Sequence, residues 1–402
     1  MDEARLADPD PGQGFLTVGQ PAAIAAVRVM LGPVPPHAVL LVGPVSVGKT
    51  TLALDFAAAL LCTDPEPARR PCRGCRSCRR VAAGNHPDLH RLAPTGPGRQ
   101  IGIGEPPPAD PAPGTIRHLV GELSLLPVEG GARVAVIEQA ERMNEDAQNA
   151  LLKTLEEPPA GVTIVLCASD EDRLLPTVRS RCARVRLGPV ARREVERLLV
   201  ERGAADPPTA ARLARLSAGR PGLALAYALA PEAVVGRDEI ARSFLDLLAA
   251  RRSVRLAAIR RLLARAAELS NALERADDGR SPEVAEPAAV ASAAAPAGTA
   301  DGAEQPGRRG TAAERRRAAL ALLDVWRDVA RDLAIAARGG GANLRDRALL
   351  DDLQAAARTV DPVAAASFLA RLARTALLVE ANANPELALD ALVLAWPDAT
   401  AA

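Results

Sequence analysis

The sequence predicts an α/β domain with a parallel β-sheet flanked by helices, followed by a region that is entirely helical. Short, mainly apolar runs at residues 38–42, 133–137 and 162–168 are typical of strands buried on both faces, and segments with helical spacing lie between them. The hydrophobic fraction of 48% over 402 residues allows sizeable cores in two or three domains. Aromatic residues make up only 2%, so alanine and leucine fill the interior, which favours helical packing.

The charge balance excludes a strongly basic nucleic-acid-binding surface over the whole chain. Fifty basic residues oppose 49 acidic ones, giving a net charge of +1. Any contact with DNA must therefore be local or shared with partner proteins. The first residues have no basic start followed by an apolar core, and we expect no apolar run of membrane-spanning length. These features predict a cytoplasmic protein without a membrane partner.

Residues 43–50 read GPVSVGKT, a complete phosphate-binding loop. Its glycines let the backbone wrap closely around a polyphosphate, so that successive N–H groups point inward at the positive end of the following helix. Lys49 is expected to reach the β- and γ-phosphates of ATP, and the Thr50 hydroxyl to hold Mg²⁺. The nucleotide contacts predicted in this region are Gly43, Gly48, Lys49, Thr50 and Thr51.

The context of this loop supports a nucleotide site. An apolar strand at residues 38–42 precedes it, and a mostly apolar helix over residues 51–61 follows it. The alternative is a chance glycine-rich turn. Because both flanking elements fall where the motif requires them, the alternative is disfavoured.

An acidic pair belongs at the end of the strand over residues 133–137. Nucleotide-hydrolysing motors place two carboxylates there, the first for Mg²⁺ and the second to polarise the attacking water. Glu138 can serve the metal, but the next residue is Gln139, whose amide accepts no proton. Glu141 could compensate only if its carboxylate reaches the site, and we expect it to point elsewhere on the following helix.

Four of the six cysteines follow the spacing C-x9-C-x2-C-x2-C. Closely spaced thiols in a reducing compartment are more often metal ligands than disulfides, and four thiolates satisfy a closed, structural Zn²⁺ site. Four unligated thiols in an exposed loop are the alternative. His86 and His90 lie nearby but are left out, because four sulfurs fill the metal shell, and Cys167 is predicted to be a core residue. The predicted zinc ligands are Cys62, Cys72, Cys75 and Cys78.

Several segments are specific enough to identify a family. The motifs NALLKTLEEPP at residues 149–159 and TVRSRC at residues 177–182 resemble those of the clamp-loader branch of the AAA+ ATPases. Together with the cysteine insert, they are similar to the family of delta-prime subunits of bacterial DNA polymerase III clamp loaders. The resemblance is strong from about residue 15 to 227. Further matching segments are HA at 37–38, GNHPD at 84–88 and SAGRPG at 217–222.

The resemblance implies roles for residues outside the loop. Residues 18–20 match the stretch that approaches the adenine. Ser169 occupies the place of the polar residue that senses the γ-phosphate. Arg181 matches the arginine that is offered in trans to ATP held by a neighbouring subunit, a task suited to a planar, always charged guanidinium. Without the family context, a surface salt bridge is the alternative for Arg181.

Two departures from the family's active motor subunits are equally informative. Gln139 replaces their catalytic acid, and Gly222 falls where they carry a second sensing arginine, although Arg220 is close. These losses are typical of delta-prime, a mainly structural member that lends an arginine to its neighbour. We therefore expect this chain to bind ATP with Mg²⁺ and to hydrolyse it weakly or not at all.

The predicted organisation has three domains. Residues 1–187 form the AAA+ P-loop domain with the zinc-binding insert at 62–78, and residues 188–232 form a small helical lid domain. Residues 233–402 form an all-α collar domain that holds subunits in a ring, interrupted by a disordered insertion at about 271–310 that is rich in Ala, Pro and Gly. An ordinary monomeric helix bundle is the alternative for the collar.

The sequence thus predicts a clamp-loader subunit of a hetero-oligomeric ring that helps to load the sliding clamp onto primer-template DNA. Its expected partners are the ATP-hydrolysing gamma or tau subunits and delta. Whether it is an enzyme itself stays open. The alternatives are an active gamma/tau-like ATPase, a phosphotransferase, for which no acceptor site is recognisable, and a zinc-stabilised scaffold without nucleotide binding.

Overall fold

The computed structural model describes residues 14–95, 99–105, 111–129, 131–278 and 311–396. The chain divides into two compact units, Met1–Ala228 and Leu229–Ala402. The strands described in the first unit are β1 (Ala38–Val42), β2 (Leu89–Leu92), β3 (Arg133–Ile137), β4 (Val162–Ala168) and β5 (Ala183–Arg186). Its helices are α1 (Pro21–Val29), α2 (Lys49–Leu60), α3 (Arg76–Ala82), α4 (Ile116–Leu123), α5 (Glu145–Glu156), α6 (Pro176–Arg179), α7 (Arg192–Glu201), α8 (Pro207–Leu216) and α9 (Pro221–Leu229).

The five described strands form one parallel sheet in the order β2-β3-β4-β1-β5. The predicted parallel sheet is confirmed, and β1, β3 and β4 have the predicted bounds because every residue in them is buried. Strands β2 and β5 were not predicted from the sequence. These strands lie at the two edges of the sheet and are only partly buried, so they lack the continuous apolar runs of central strands.

The sheet separates two hydrophobic cores. Successive strand residues point to opposite faces, so Val39 and Leu41 of β1 enter one core while Leu40 enters the other. The first core is closed by Phe56 of α2, and the second by Leu151 of α5. Helices thus cover both faces of the sheet, which explains the uninterrupted apolar sequence of the central strands.

Three short helices, α7, α8 and α9, follow the sheet. They agree with the two or three helices expected over residues 188–232, but they belong to the same compact unit as the sheet. The boundary between residues 187 and 188 therefore stays a prediction.

The second unit is entirely helical over its described residues. The helices are α10 (Pro231–Leu248), α11 (Arg252–Asp278), α12 (Ala312–Ala336), α13 (Leu350–Ala357), α14 (Pro362–Glu380) and α15 (Pro385–Leu394). Asp361 and Asn384 accept hydrogen bonds from the first turns of α14 and α15, each just before a proline. An aromatic cluster lies in the core, with ring centroids between 4.7 and 6.1 Å apart. Its members are Phe244, Trp326, Phe368 and Trp396.

The predicted start of the insertion at residue 271 is wrong. Helix α11 continues to Asp278 because its apolar spacing carries on through Leu269 and Ala272, which are both buried. The remainder of the predicted insertion, residues 279–310, lies outside the described residues.

One helix bears on the expectation that no apolar run reaches membrane-spanning length. Within the described ranges, α14 is long and apolar enough to cross a membrane by length and composition, with a mean hydropathy of 1.4. Phe368 and Leu372 of this helix are buried in the second unit, while Arg371 and Arg374 interrupt its apolar sequence. That pattern is typical of an amphipathic helix packed in a bundle.

Candidate nucleotide-binding site and cysteine cluster

The phosphate-binding loop connects β1 to α2 and depends on its glycines. Gly48 has a φ of 107°, in the left-handed region, and comes directly before the first residue of α2. At Gly43, an added Cβ would lie 2.4 Å from the carbonyl oxygen of Leu187. A side chain at Gly43 would therefore push the loop away from the sheet.

Lys49 lies where a phosphate-binding lysine is expected. Its Nζ donates hydrogen bonds to the carbonyl oxygens of Gly43 at 2.7 Å and Pro44 at 2.8 Å. Burial lowers the pKa of Lys49, and the nearby Glu141 carboxylate opposes that effect. The ammonium is thus held inside the loop by carbonyl groups that phosphate oxygens can replace.

The two predicted Mg²⁺ residues meet beside the loop. The Thr50 hydroxyl donates to Oε2 of Glu138 over 3.4 Å. Hydroxyl and carboxylate oxygens are the donor types that Mg²⁺ prefers. The other oxygen of Glu138, Oε1, accepts hydrogen bonds from Nη2 of Arg91 at 2.7 Å and Nε at 3.2 Å. Arg91 was not predicted as a site residue, because its only signal in the sequence is a charge within the strand LHRL.

Gln139 occupies the position after Glu138 and caps a short 3-10 turn, Ala140–Arg142. Its φ of 48° is unusual for a residue with a side chain. Glu141 lies on this turn. Its carboxylate Oε1 accepts a hydrogen bond from the Ser169 hydroxyl, and its buried Oε2 has no hydrogen-bond partner within the described part of the chain.

The expectation that Glu141 points away from the site is therefore wrong. We expected a regular helix after β3, in which a residue three positions on turns to another side. The tighter 3-10 turn instead returns Glu141 to the edge of the sheet where β4 ends at Ser169. The same carboxylate acts electrostatically on Lys49, so the loop, the turn and the end of β4 converge.

The segment expected near the adenine, residues 18–20, is held in place through Gln20 and through the residues that precede it. Gln20 donates from Nε2 to the carbonyl oxygen of Gly188 at 2.6 Å, and its Oε1 accepts from the Gly188 N–H at 3.3 Å. Directly before the segment, the N–H groups of Leu16 and Thr17 donate to the buried Asp55 carboxylate of α2. Asp55 also pairs with Arg73, which lies between two cysteines of the insert. This connection was missed because it joins residues distant in sequence.

The start of α9 lies against the phosphate-binding loop. The N–H of Gly222 donates to the carbonyl oxygen of Ser46 at 2.9 Å, and an added Cβ at Gly222 would lie 3.1 Å from that oxygen. Gly222 therefore permits a close backbone approach. Arg220 turns back on its own chain, since its Nε donates to the carbonyl oxygen of Ser217 at 2.9 Å.

Arg181 follows α6 and lies at the surface. Its Nη2 is 2.6 Å from Oε1 of Glu156 at the end of α5, and its Nη1 donates to the carbonyl oxygen of Thr177 at 2.9 Å. The side chains of Arg181 and Glu156 are 34% and 49% exposed. The surface salt bridge considered above is present, and the guanidinium is still accessible to solvent.

The four predicted zinc ligands converge. Their sulfur atoms all lie within 4.8 Å of one another, and those of Cys62 and Cys75 are 3.9 Å apart. A tetrahedral zinc with bonds of about 2.3 Å requires sulfur atoms roughly 3.8 Å apart, so the cluster fits the ion. Burial would raise the pKa of Cys75, but N–H groups of Cys78 and Thr63 stabilise its thiolate and lower that pKa to about 6. A thiolate is the form that binds metal.

The nearby histidines lie outside this cluster. His86 accepts from the Asp88 N–H at Nδ1 and lies 3.4 Å from Glu129 through Nε2. His90 lies 3.2 Å from Arg133 through Nε2. Cys167 is fully buried beside the loop, as predicted, and burial raises the pKa of its thiol.

Comparisons with known proteins agree with the motifs. Residues 33–191 match the family described as "DNA polymerase III, delta subunit". DNA polymerase III subunit delta′ of Pseudomonas aeruginosa is 41% identical over 146 residues, which are 36% of this chain and 41% of that protein. The Escherichia coli subunit delta′ is 34% identical over 190 residues, 47% of this chain and 54% of that protein. The chain thus aligns with about half the length of these relatives.

Other relatives carry related names. DNA polymerase III subunit tau/gamma of Haemophilus influenzae is 34% identical over 155 residues, 38% of this chain and 20% of that protein. Among solved structures, a DNA polymerase III gamma subunit-related protein of Thermotoga maritima aligns with a TM-score of 0.38 and 17% identity, over 92% of this chain and 97% of that one. The matches at 34–41% identity to subunit delta′ in several bacteria identify this chain as a relative of DNA polymerase III subunit delta-prime.

Proposed function

We propose that this chain acts as a delta-prime-like subunit of a DNA polymerase III clamp loader in the cytoplasm. In this role it joins gamma or tau subunits and delta in a ring and helps to load the sliding clamp onto primed DNA. The similarity to delta-prime and tau/gamma subunits supports the complex. We propose that this subunit binds ATP while its neighbours hydrolyse ATP. The observation that carries this proposal is that the chain has an intact phosphate-binding loop but an amide, Gln139, in place of the catalytic acid.

The site supports nucleotide binding. Lys49 is held inside the loop, and Thr50 and Glu138 offer hydroxyl and carboxylate oxygens next to each other. Gln139 cannot accept the proton of an attacking water, so we infer that ATP is bound and hydrolysed weakly or not at all. Loss of labelled ATP binding in the variant Lys49→Ala, but not in Lys153→Ala, which removes an exposed lysine of α5, would support the assignment.

Arg181 is the residue that we propose to act on a neighbouring subunit. It is partly exposed and bound to a partly exposed acid, so it can exchange that partner for a phosphate without leaving a buried charge behind. A guanidinium placed beside a transferring phosphoryl group stabilises the charge that develops on its oxygens.

The decisive experiment reconstitutes the loader with gamma or tau and delta. Arg181→Ala should leave assembly intact and slow DNA-stimulated ATP hydrolysis. The matched control is Arg179→Ala, which removes an arginine two residues away that pairs with Asp172 at 2.7 Å. Equal turnover in the two variants contradicts the role of Arg181 in trans.

One observation favours a second function, that of an active ATPase. Glu141 lies against Ser169 and acts on Lys49, so a carboxylate is present at the site despite Gln139. Under this alternative the isolated protein hydrolyses ATP, and Glu141→Gln abolishes the activity. A zinc-stabilised scaffold without nucleotide binding is tested by the ATP-binding measurement above, since wild-type protein would then bind no ATP.

For the cysteine cluster we propose a structural zinc. Four sulfur ligands leave no coordination position for water, so the ion would stabilise the loop between α2 and α3 and take no part in hydrolysis.

A further inference from the structure

Arg91 forms a contact that phosphate-binding loops do not require. It lies on the edge strand β2, opposite Val136 of β3. Strand β3 ends one residue later at Ile137, and Glu138 follows directly. Both its Nε and its Nη2 donate to the same oxygen of Glu138. The two side chains are each only 17% exposed, so water screens their attraction less than at the surface.

This contact divides the carboxylate between two partners. Oε1 of Glu138 accepts from Arg91, while Oε2 faces the hydroxyl of Thr50. A carboxylate attracts Mg²⁺ through its negative charge, and a guanidinium at 2.7 Å neutralises that charge. A cation at Oε2 would also be repelled by the fixed positive charge of Arg91.

We propose that Arg91 determines the metal requirement of the nucleotide site, so that ATP binds here with little dependence on Mg²⁺. The guanidinium cancels the negative charge of Glu138, which would otherwise attract Mg²⁺ and repel the phosphates. Lys49 then meets a metal-free triphosphate without that opposing carboxylate charge. The inference rests on the proposed nucleotide binding, since it concerns the same site.

The experiment measures ATP affinity with Mg²⁺ and in Mg²⁺-free buffer prepared without a chelator, so that any metal at the cysteine cluster is retained. In wild-type protein the two dissociation constants should agree within about threefold, less than 1 kcal/mol. In Arg91→Gln, which removes the charge and keeps a polar side chain, Mg²⁺ should tighten binding by about tenfold or more. Arg91→Lys should behave like the wild type because it keeps the positive charge.

Arg142→Gln is the matched control, because Arg142 is exposed on the adjacent turn and its guanidinium has no hydrogen bond or ion pair within the described residues. It should leave the wild-type pattern unchanged. A tenfold Mg²⁺ dependence in the wild type, or the same small dependence in Arg91→Gln, overturns the inference while nucleotide binding stands.

A wild type that binds no ATP in either buffer contradicts the proposed nucleotide binding instead. The role of Arg91 is then decided by titration with Mn²⁺, followed by electron paramagnetic resonance without nucleotide. Tighter Mn²⁺ binding in Arg91→Gln than in the wild type supports the inference, and equal binding overturns it.

Discussion

Arg181 and Glu156 form an ion pair, with Nη2 and Oε1 2.6 Å apart, at the surface where α5 and α6 end. Because both side chains are partly exposed, the pair contributes at most about 1 kcal/mol to folding. Its main effect is to hold the guanidinium in one orientation. Any partner that recruits Arg181 must first compete with Glu156.

We therefore expect Glu156→Gln to release Arg181. The variant should keep its free energy of unfolding within about 1 kcal/mol of the wild type, because the pair is exposed. In the reconstituted loader, DNA-stimulated hydrolysis should be unchanged or up to about fivefold faster, since the surface pair is worth at most about 1 kcal/mol. The measurement is steady-state turnover beside Arg181→Ala. A loss of turnover in Glu156→Gln as large as that in Arg181→Ala would contradict the view that Glu156 competes for Arg181.

Two glycine substitutions, one in the phosphate-binding loop and one in α4, should change the free energy of unfolding in opposite directions. Gly43→Ala places a Cβ 2.4 Å from the Leu187 carbonyl oxygen, so we expect destabilisation by about 1–3 kcal/mol and weakened ATP binding. Gly121→Ala lies in α4 with nothing within 4 Å of the added Cβ and should stabilise by up to about 1 kcal/mol. Urea unfolding measures the change in unfolding free energy of both variants. No change in Gly43→Ala would show that the loop can shift to accept the added Cβ.

The cysteine cluster predicts a defined metal content. Purified protein should release about one zinc per chain on thiol modification, and Cys72→Ser should release less and melt at a lower temperature. Cys182→Ser is the control, because that thiol donates to the Val178 carbonyl oxygen far from the cluster. Metal analysis that finds no zinc in the wild type, or equal zinc in both variants, contradicts the site.

His86 predicts how stability depends on pH. Burial lowers the pKa of His86, with Glu129 and Asp88 opposing the shift, so the folded state favours the neutral ring. A lowered pKa means that the stabilisation is fully present above the unfolded value of about 6.5 and is lost as pH falls from that value through the lower pKa of the folded state. The loss of unfolding free energy between pH 7.5 and about 6 should be smaller in His86→Gln than in the wild type. The measurement is urea unfolding of both proteins at the two pH values. An equal loss of unfolding free energy in the two proteins would contradict this prediction.

The strands that could be predicted from the sequence are those that are buried on both faces. Central strands are buried on both faces, so their apolar runs gave the bounds of β1, β3 and β4, whereas the half-exposed β2 and β5 left no such signal. The caps at Asp361 and Asn384 were predictable because an Asp or Asn before a proline is a local signal.

The site was predictable where it is local and not where it depends on three-dimensional packing. The loop residues and the four cysteines carry fixed spacings, and the structure brings each set together. The contact of Arg91 with Glu138 joins neighbouring strands 47 positions apart in sequence. Glu141 reaches Ser169 because it lies on a 3-10 turn. Hydrophobic periodicity does not distinguish such a turn from the first turn of an α-helix.

The aromatic cluster in the second unit has a practical consequence for spectroscopy. Trp326 and Trp396 are the two tryptophans of the whole sequence, and both lie in that cluster with their rings 4.9 Å apart. Intrinsic emission from these indoles will therefore follow melting of the C-terminal helices alone. Unfolding of the first unit leaves no indole signal and must be followed by another probe, such as circular dichroism or the single tyrosine, Tyr227.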